Sequence, residues 1–129
     1  MKPKVFISYS FANKDKFKSF DKKLRKFLKQ SFGIKTYSFV FDFKKKTDDK
    51  TLMRTALKKI DESNLLIAEL SYKSIGIGIE VGYAKARGKK IIYIHKIGTE
   101  LSTTINGVCD IRIEYKDISD FLAKLKQVL

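Results

Sequence analysis

Between Lys14 and Gln30 the apolar residues Phe17, Phe20, Leu24, Phe27 and Leu28 recur at spacings of three and four among lysines, which is the stripe of an amphipathic helix. Gly33 follows as its stop signal. The remaining apolar stretches are mostly short and unbroken, as strands buried on both faces require. Val5-Phe6-Ile7-Ser8 is one. Lys35 to Phe41, loosely alternating and rich in aromatic and β-branched residues, is a second. Leu65-Leu66-Ile67-Ala68 and Ile91-Ile92-Tyr93-Ile94 form the centres of strands over Asn64 to Leu70 and Lys90 to His95, and Asp110 to Glu114 adds a fifth. Lys44 to Lys50 reads as a charged loop, and Thr51 as the cap of a helix carrying Leu52, Ala56, Leu57 and Ile60 on one face. Gly76 and Gly78 interrupt the chain before a helix from about Ile79 to Arg87, closed by Gly88. Ile118, Phe121, Leu122, Leu125 and Val128 stripe a last helix.

Strands alternating with helices in this way predict right-handed crossovers and a parallel sheet covered on both faces. The expected fold is α/β: one doubly wound, five-stranded parallel sheet in the flavodoxin-like or Rossmann-like order 2-1-3-4-5. No repeat or linker breaks the pattern, so residues 1–129 read as a single domain. In such sheets a ligand lies beyond the carboxyl ends of the strands, at the switch point between the first and third. That rule singles out Ser8-Tyr9-Ser10, Glu69 to Glu80, and His95 to Asn106.

With 129 residues, 43% of them hydrophobic, the chain has enough apolar material for one core, yet no stretch approaches the roughly 18 apolar residues of a membrane span. The apolar run within Met1 to Ser8 is too short for a leader, and Cys109 is the only cysteine, which excludes a disulfide scaffold or a zinc cluster. A cytoplasmic protein without a membrane partner is expected. The net charge is +14, and residues 1–50 hold 15 basic against 5 acidic side chains. A field of that kind attracts polyanions or phosphorylated metabolites, or is only a solvated lysine-rich surface. Only four of the cations are arginines, the usual readers of base edges. Binding to nucleic acid, where it occurs, is therefore expected to be nonspecific and salt-sensitive.

Within the three singled-out segments, the stretch from Ser71 to Glu80 leaves a strand and enters a helix through Ser74, Gly76 and Gly78. Amides exposed by such a turn at the positive end of a helix make a phosphate cradle. Glu80, read as a first-turn residue, is held ionised by the helix dipole, as a nucleophile attacking an anomeric carbon must be; its ordinary alternative is to stabilise the helix end. Ser8, Ser10 and Ser71 at strand ends bond ribose hydroxyls or cap turns. Tyr9 and Tyr37 stack on a base or fill the core. His95 lacks a histidine or cysteine partner, so no metal site is expected.

The segments Ile67-Ala68-Glu69-Leu70, Ser74-Ile75-Gly76-Ile77-Gly78-Ile79-Glu80-Val81-Gly82-Tyr83-Ala84 and Leu101-Ser102-Thr103-Thr104-Ile105-Asn106-Gly107 resemble the nucleoside 2-deoxyribosyltransferase superfamily, most of all its small 2'-deoxynucleoside 5'-monophosphate N-glycosidases. The resemblance runs from about residue 56 to the C-terminus. It implies an enzyme that needs no cofactor and cleaves or exchanges the base–sugar bond of a nucleotide or nucleoside, with Glu80 forming a covalent glycosyl intermediate. It also implies a 5'-phosphate held by Ser74, the backbone of Gly76 and Gly78, and Ser102, the last lent across the interface of a homodimer or larger assembly. Two features depart from that family. Its assisting aspartate is Ala56 here, leaving Asp42, Asp48, Asp49, Asp61 and Glu62 as candidate substitutes, and its arginine after the first strand is absent, with Lys14 or Lys16 as candidate point charges.

Val5-Phe6-Ile7-Ser8-Tyr9-Ser10 with Asp15 resembles instead the opening of Toll/interleukin-receptor-like domains, whose enzymes use a glutamate to cleave NAD. A TIR-like NAD-cleaving enzyme and a catalytically silent nucleotide-binding or interaction module therefore stand as alternatives.

Overall fold

The computed structural model describes residues 3–129; Met1 and Lys2, which open the stretch read for a leader, lie outside the described residues. Five parallel strands, β1 (Lys4–Ser8), β2 (Lys35–Tyr37), β3 (Leu65–Glu69), β4 (Lys90–Lys96) and β5 (Ile111–Tyr115), form one sheet in the order β2-β1-β3-β4-β5. This is the expected α/β fold and strand order. The registers place Phe6 beside Tyr37 on one side and beside Leu66 on the other, and Ile67 beside Ile92.

Alternation along the strands divides the apolar residues between two faces. Val5, Ile7, Ile67, Ile92 and Ile94 pack with Leu24 and Leu28 of α1 (Lys18–Phe32) and with Phe121 and Leu125 of α6 (Ile118–Val128). Phe6, Leu66, Ala68, Ile91 and Tyr93 pack with Ile60 of α3 (Asp49–Asp61), with Ile77, Val81 and Ala84 of α4 (Ile75–Ala86), and with Ile105 of α5 (Thr103–Val108). Each of the large side chains buried here is worth about 1.5–3 kcal/mol relative to exposure.

The stop signal after the first helix is where the pattern puts it: Gly33 closes α1 in the left-handed region at φ 64°, its N–H reaching the Leu28 and Lys29 carbonyls. Three boundaries differ from expectation. The predicted second strand ends at Tyr37, because Asp42 Oδ2 accepts the Ser38 N–H at 2.9 Å and folds Phe39–Asp42 into a single helical turn, α2. The first helix is preceded by a 3-10 segment over Phe11–Phe17. Thr51 lies inside α3, which Asp48 precedes as N-cap residue. Among the described residues no helix is long and apolar enough to cross a membrane.

Candidate active site

Ser74 sets the start of α4. Its backbone is extended, and its Oγ accepts the N–H of Ile77 at 3.4 Å. The helix therefore begins at Ile75, four residues before the predicted start, and Gly76 and Gly78 belong to its first turns rather than to a loop ahead of it. Glu80 consequently stands in the second turn, beyond the reach of the terminal dipole. The expectation of a dipole-held carboxylate is corrected further by its titration. Burial raises the Glu80 carboxyl to about 7, and the Ser8 hydroxyl, which opposes the shift, does not cancel it. Ser8 follows Phe6 on the α3/α4 face of the sheet; it is 1% exposed, and its Oγ closes no hydrogen bond of ordinary geometry.

A cleft of about 440 Å³ opens on Glu80. It lies where the strand order reverses, at the carboxyl ends of β1 and β3, as the topology requires. Ser74, Gly76, Ile77 and Glu80 supply the α4 wall. Opposite chain segments supply Tyr9 and Phe11 after β1, then Phe39, Val40 and Phe43 around α2, and Leu52, Met53 and Ala56 from α3. Phe39 and Phe43 stack with centroids 4.7 Å apart. Lys44 and Lys45 complete the rim. The Tyr9 ring is held from behind: its hydroxyl donates to Asp21 Oδ1 at 2.8 Å, and Asp21 pairs with Arg25, which also pairs with Asp42. Burial raises both the Tyr9 phenol and the Asp21 carboxyl above their ordinary values.

A second, shallower groove of about 340 Å³ runs along the other side of the α4 start, between Ser74 and Gly78 and the segment Ser102, Thr104 and Ile105. Ser74 lines both cavities. Ser102 caps α5, its Oγ accepting the Ile105 N–H at 3.3 Å while its own N–H donates to the Tyr93 hydroxyl at 2.9 Å. Leu101 precedes α5 and is exposed, whereas Ile105 is buried in its own core. Ile75, Ile79 and Leu101 present exposed apolar surface.

Of the residues singled out in the sequence, Tyr9, Ser74, Gly76 and Glu80 meet in the cleft, and Gly78 and Ser102 meet in the groove. Ser10 and Ser71 serve the frame. Ser10 Oγ accepts from Asn13 Nδ2 at 3.1 Å, and the Ser71 hydroxyl donates to Glu69 Oε2 at 2.8 Å while accepting the Lys96 N–H. Glu69, fully buried, also receives the Tyr115 hydroxyl; burial still leaves its carboxyl raised. Tyr37 packs on Phe6 beneath the Lys59 ammonium, and His95 lies between Thr99 and Arg112, so neither lines the cleft. Lys14 covers the Phe11 ring and Lys16 the Tyr72 ring, outside the cleft wall. None of the candidate substitute carboxylates lines it either. Asp61 receives the Tyr83 hydroxyl and Arg87 Nε, and Asp42 is paired with Arg25.

No protein-family model matches the chain. The protein named "Putative 2'-deoxynucleoside 5'-phosphate N-hydrolase 1" of Syntrophotalea carbinolica is 33% identical over 135 residues, an alignment spanning 98% of this chain and 94% of that protein. This chain belongs to that family, within the nucleoside 2-deoxyribosyltransferase superfamily. The CMP N-glycosidase of Clostridium botulinum superposes with a TM-score of 0.77 at 25% identity, covering 98% of this chain and 99% of the other. A 2-deoxyribosyltransferase of Bacillus psychrosaccharolyticus shares the fold, with a TM-score of 0.69 at 16% identity over 92% and 90% of the two chains.

Beyond the family's motifs, this member builds its cleft from residues that no motif flagged: Phe39, Val40, Phe43, Lys44, Lys45 and Met53. Leu52 and Ala56 were visible, as part of an apolar helix face. Phe39 and Val40 fall in the predicted strand, Phe43 just after it, Lys44 and Lys45 in the charged loop, and Met53 off the apolar face of the predicted helix.

Proposed function

We propose that residues 1–129 act as one nucleoside 2-deoxyribosyltransferase-like domain in the cytoplasm, cleaving or exchanging the N-glycosidic bond of a nucleoside 5'-monophosphate or nucleoside. The observation that carries this reading is Glu80 on the wall of the cleft, in the second turn of a helix whose N-terminus, Ser74 and Gly76, faces the same space. The names of the relatives agree with it. In the ionised form Glu80 attacks C1', the bonding pair leaves with the base, and water or a second base then displaces the sugar from the carboxylate. The free amides of the α4 start and the Ser74 hydroxyl hold the 5'-phosphate, as helix N-termini hold anions. No cofactor enters these steps.

Ser102 stands in the groove on the far side of Ser74, and Ile75, Ile79 and Leu101 offer apolar surface around it. In the proposed assembly a second copy covers this groove, and the Ser102 hydroxyl contributes to the neighbour's phosphate site. Tyr9 and Ser8 shape the sugar side of the cleft, and Ser10, Ser71 and Gly78 hold the backbone around it. Activity per chain is expected to fall on dilution below the dimer dissociation constant.

The test is chromatographic detection of free base after incubation with nucleoside monophosphates, nucleosides and NAD. Monophosphates are expected to be cleaved with the highest kcat/KM, and Glu80→Ala to abolish release. Retained turnover in that variant removes the nucleophile; release of nicotinamide alone moves the chain to the NAD-cleaving reading; intact ligand bound without turnover moves it to a silent binding module.

A further inference from the structure

Cleavage of a glycosidic bond needs something at the departing base as well as at C1'. The bonding pair passes to the ring nitrogen and spreads onto an adjacent carbonyl oxygen, where a donor lowers the barrier. In this cleft Glu80 is engaged with C1', the Tyr9 hydroxyl is committed to Asp21, and the Ser74 hydroxyl, whose oxygen accepts the Ile77 N–H, has its own proton for the 5'-phosphate. Phe39, Val40, Leu52, Met53 and Ala56 are apolar. The side-chain donors left on the wall are the ammonium groups of Lys44 and Lys45, which come from the α2–α3 connection, whereas Glu80 comes from α4. Among the described residues neither lysine forms a salt bridge.

Resting on the functional reading above, we propose that Lys44 and Lys45 are catalytic residues at the leaving group, and that the base they serve is a pyrimidine. A lysine offers donors and no acceptor, so it recognises a carbonyl rather than an amino group. The pyrimidine O2 is such a carbonyl, directly beside the glycosidic nitrogen. As the C1'–N bond breaks and the Glu80 oxygen bonds to C1', one ammonium donates a proton to the developing anion at O2; the base departs neutral, and the amine regains its proton from water. The lysines thus take the task that an acid on α3, at Ala56, would otherwise perform.

The test compares a pyrimidine nucleoside monophosphate with its 5-fluoro derivative, whose base departs more readily without help, in the wild type and in Lys44→Met, Lys45→Met and the double variant. Both side chains are exposed, so folding is preserved, and melting curves verify it. The double variant is expected to lose about 100-fold in kcat on the parent substrate and at least about tenfold less on the fluorinated one. An equal loss on both substrates, as phosphate binding or simple packing would give, overturns the inference and leaves the functional reading standing. Unchanged kinetics overturn it in the same way. A wild type that releases base from purine monophosphates but from neither of these compounds overturns the inference alone, and one that releases base from none of them overturns both.

Discussion

The phenol of Tyr9 and the carboxylate of Asp21 are joined by a 2.8 Å hydrogen bond beneath the cleft, with the ring facing the cavity and the hydroxyl facing away from it into the α1 side. Tyr9→Phe keeps the wall but strips a donor from a carboxylate that is 5% exposed. A loss of about 1–2 kcal/mol is expected in urea denaturation, with base release changed only a few-fold. A variant as stable as the wild type would show that Arg25 alone satisfies Asp21.

The raised Glu80 carboxyl sets a pH dependence. Only the ionised form attacks, so kcat/KM is expected to climb with pH and level off above about 7. Ser8→Ala removes the hydroxyl that holds the value down, which moves the midpoint upward. Reading the variant against the wild type on one substrate cancels the titration of the substrate's own phosphate. A midpoint unmoved by the substitution would separate Ser8 from Glu80.

The same carboxyl opposes folding at alkaline pH. Its folded value lies above the 4.5 of the unfolded chain, so the folded state holds the proton more tightly, and stability falls as pH rises from 4.5 through about 7. Glu80→Gln carries no charge to desolvate. Its melting temperature is expected to exceed that of the wild type at pH 8 and to match it near pH 4; a gap of equal size at both values would contradict this.

Glycines in the first turns of α4 weaken the helix without a steric need. A Cβ at Gly76 would meet only Ser74 Oγ at 3.7 Å, and one at Gly78 nothing within 4 Å. Each change to alanine is expected to stabilise by about 0.5–1 kcal/mol. Gly76→Ala also places a methyl group in the cleft, so its KM for a nucleoside monophosphate should rise. Thermal melts and steady-state kinetics on the pair check both halves of this expectation.

The sheet was legible because β1, β3 and β4 are buried on both faces and their sequences show it as unbroken apolar runs. The helical stripes of α1 and α6 were equally plain. What failed was local chemistry overriding pattern. Phe39-Val40-Phe41 has strand composition, but the Asp42 carboxylate captures the Ser38 amide and turns the chain. Gly76 and Gly78 have loop composition, but the Ser74 hydroxyl starts the helix ahead of them, which displaced Glu80 from the first turn and hid the part burial plays in its titration. Eight of the fourteen residues lining the cleft come from α2, α3 and the connection between them, and these meet Glu80 only through the strand order.

That order also governs when the protein can assemble. β1 is the second strand from one edge, and its inner neighbour is β3, so the amide of Lys4 reaches Asn64 Oδ1 across sixty positions of chain. During synthesis the amino-terminal strand must wait until residues 65–69 have cleared the ribosome before it gains its central pairing. For that interval the lysine-rich first segment has an amphipathic helix and no sheet to cover it. Nascent-chain protection of β1 should therefore appear in one step with β3, since distant pairing must first overcome the entropy of closing the intervening loop.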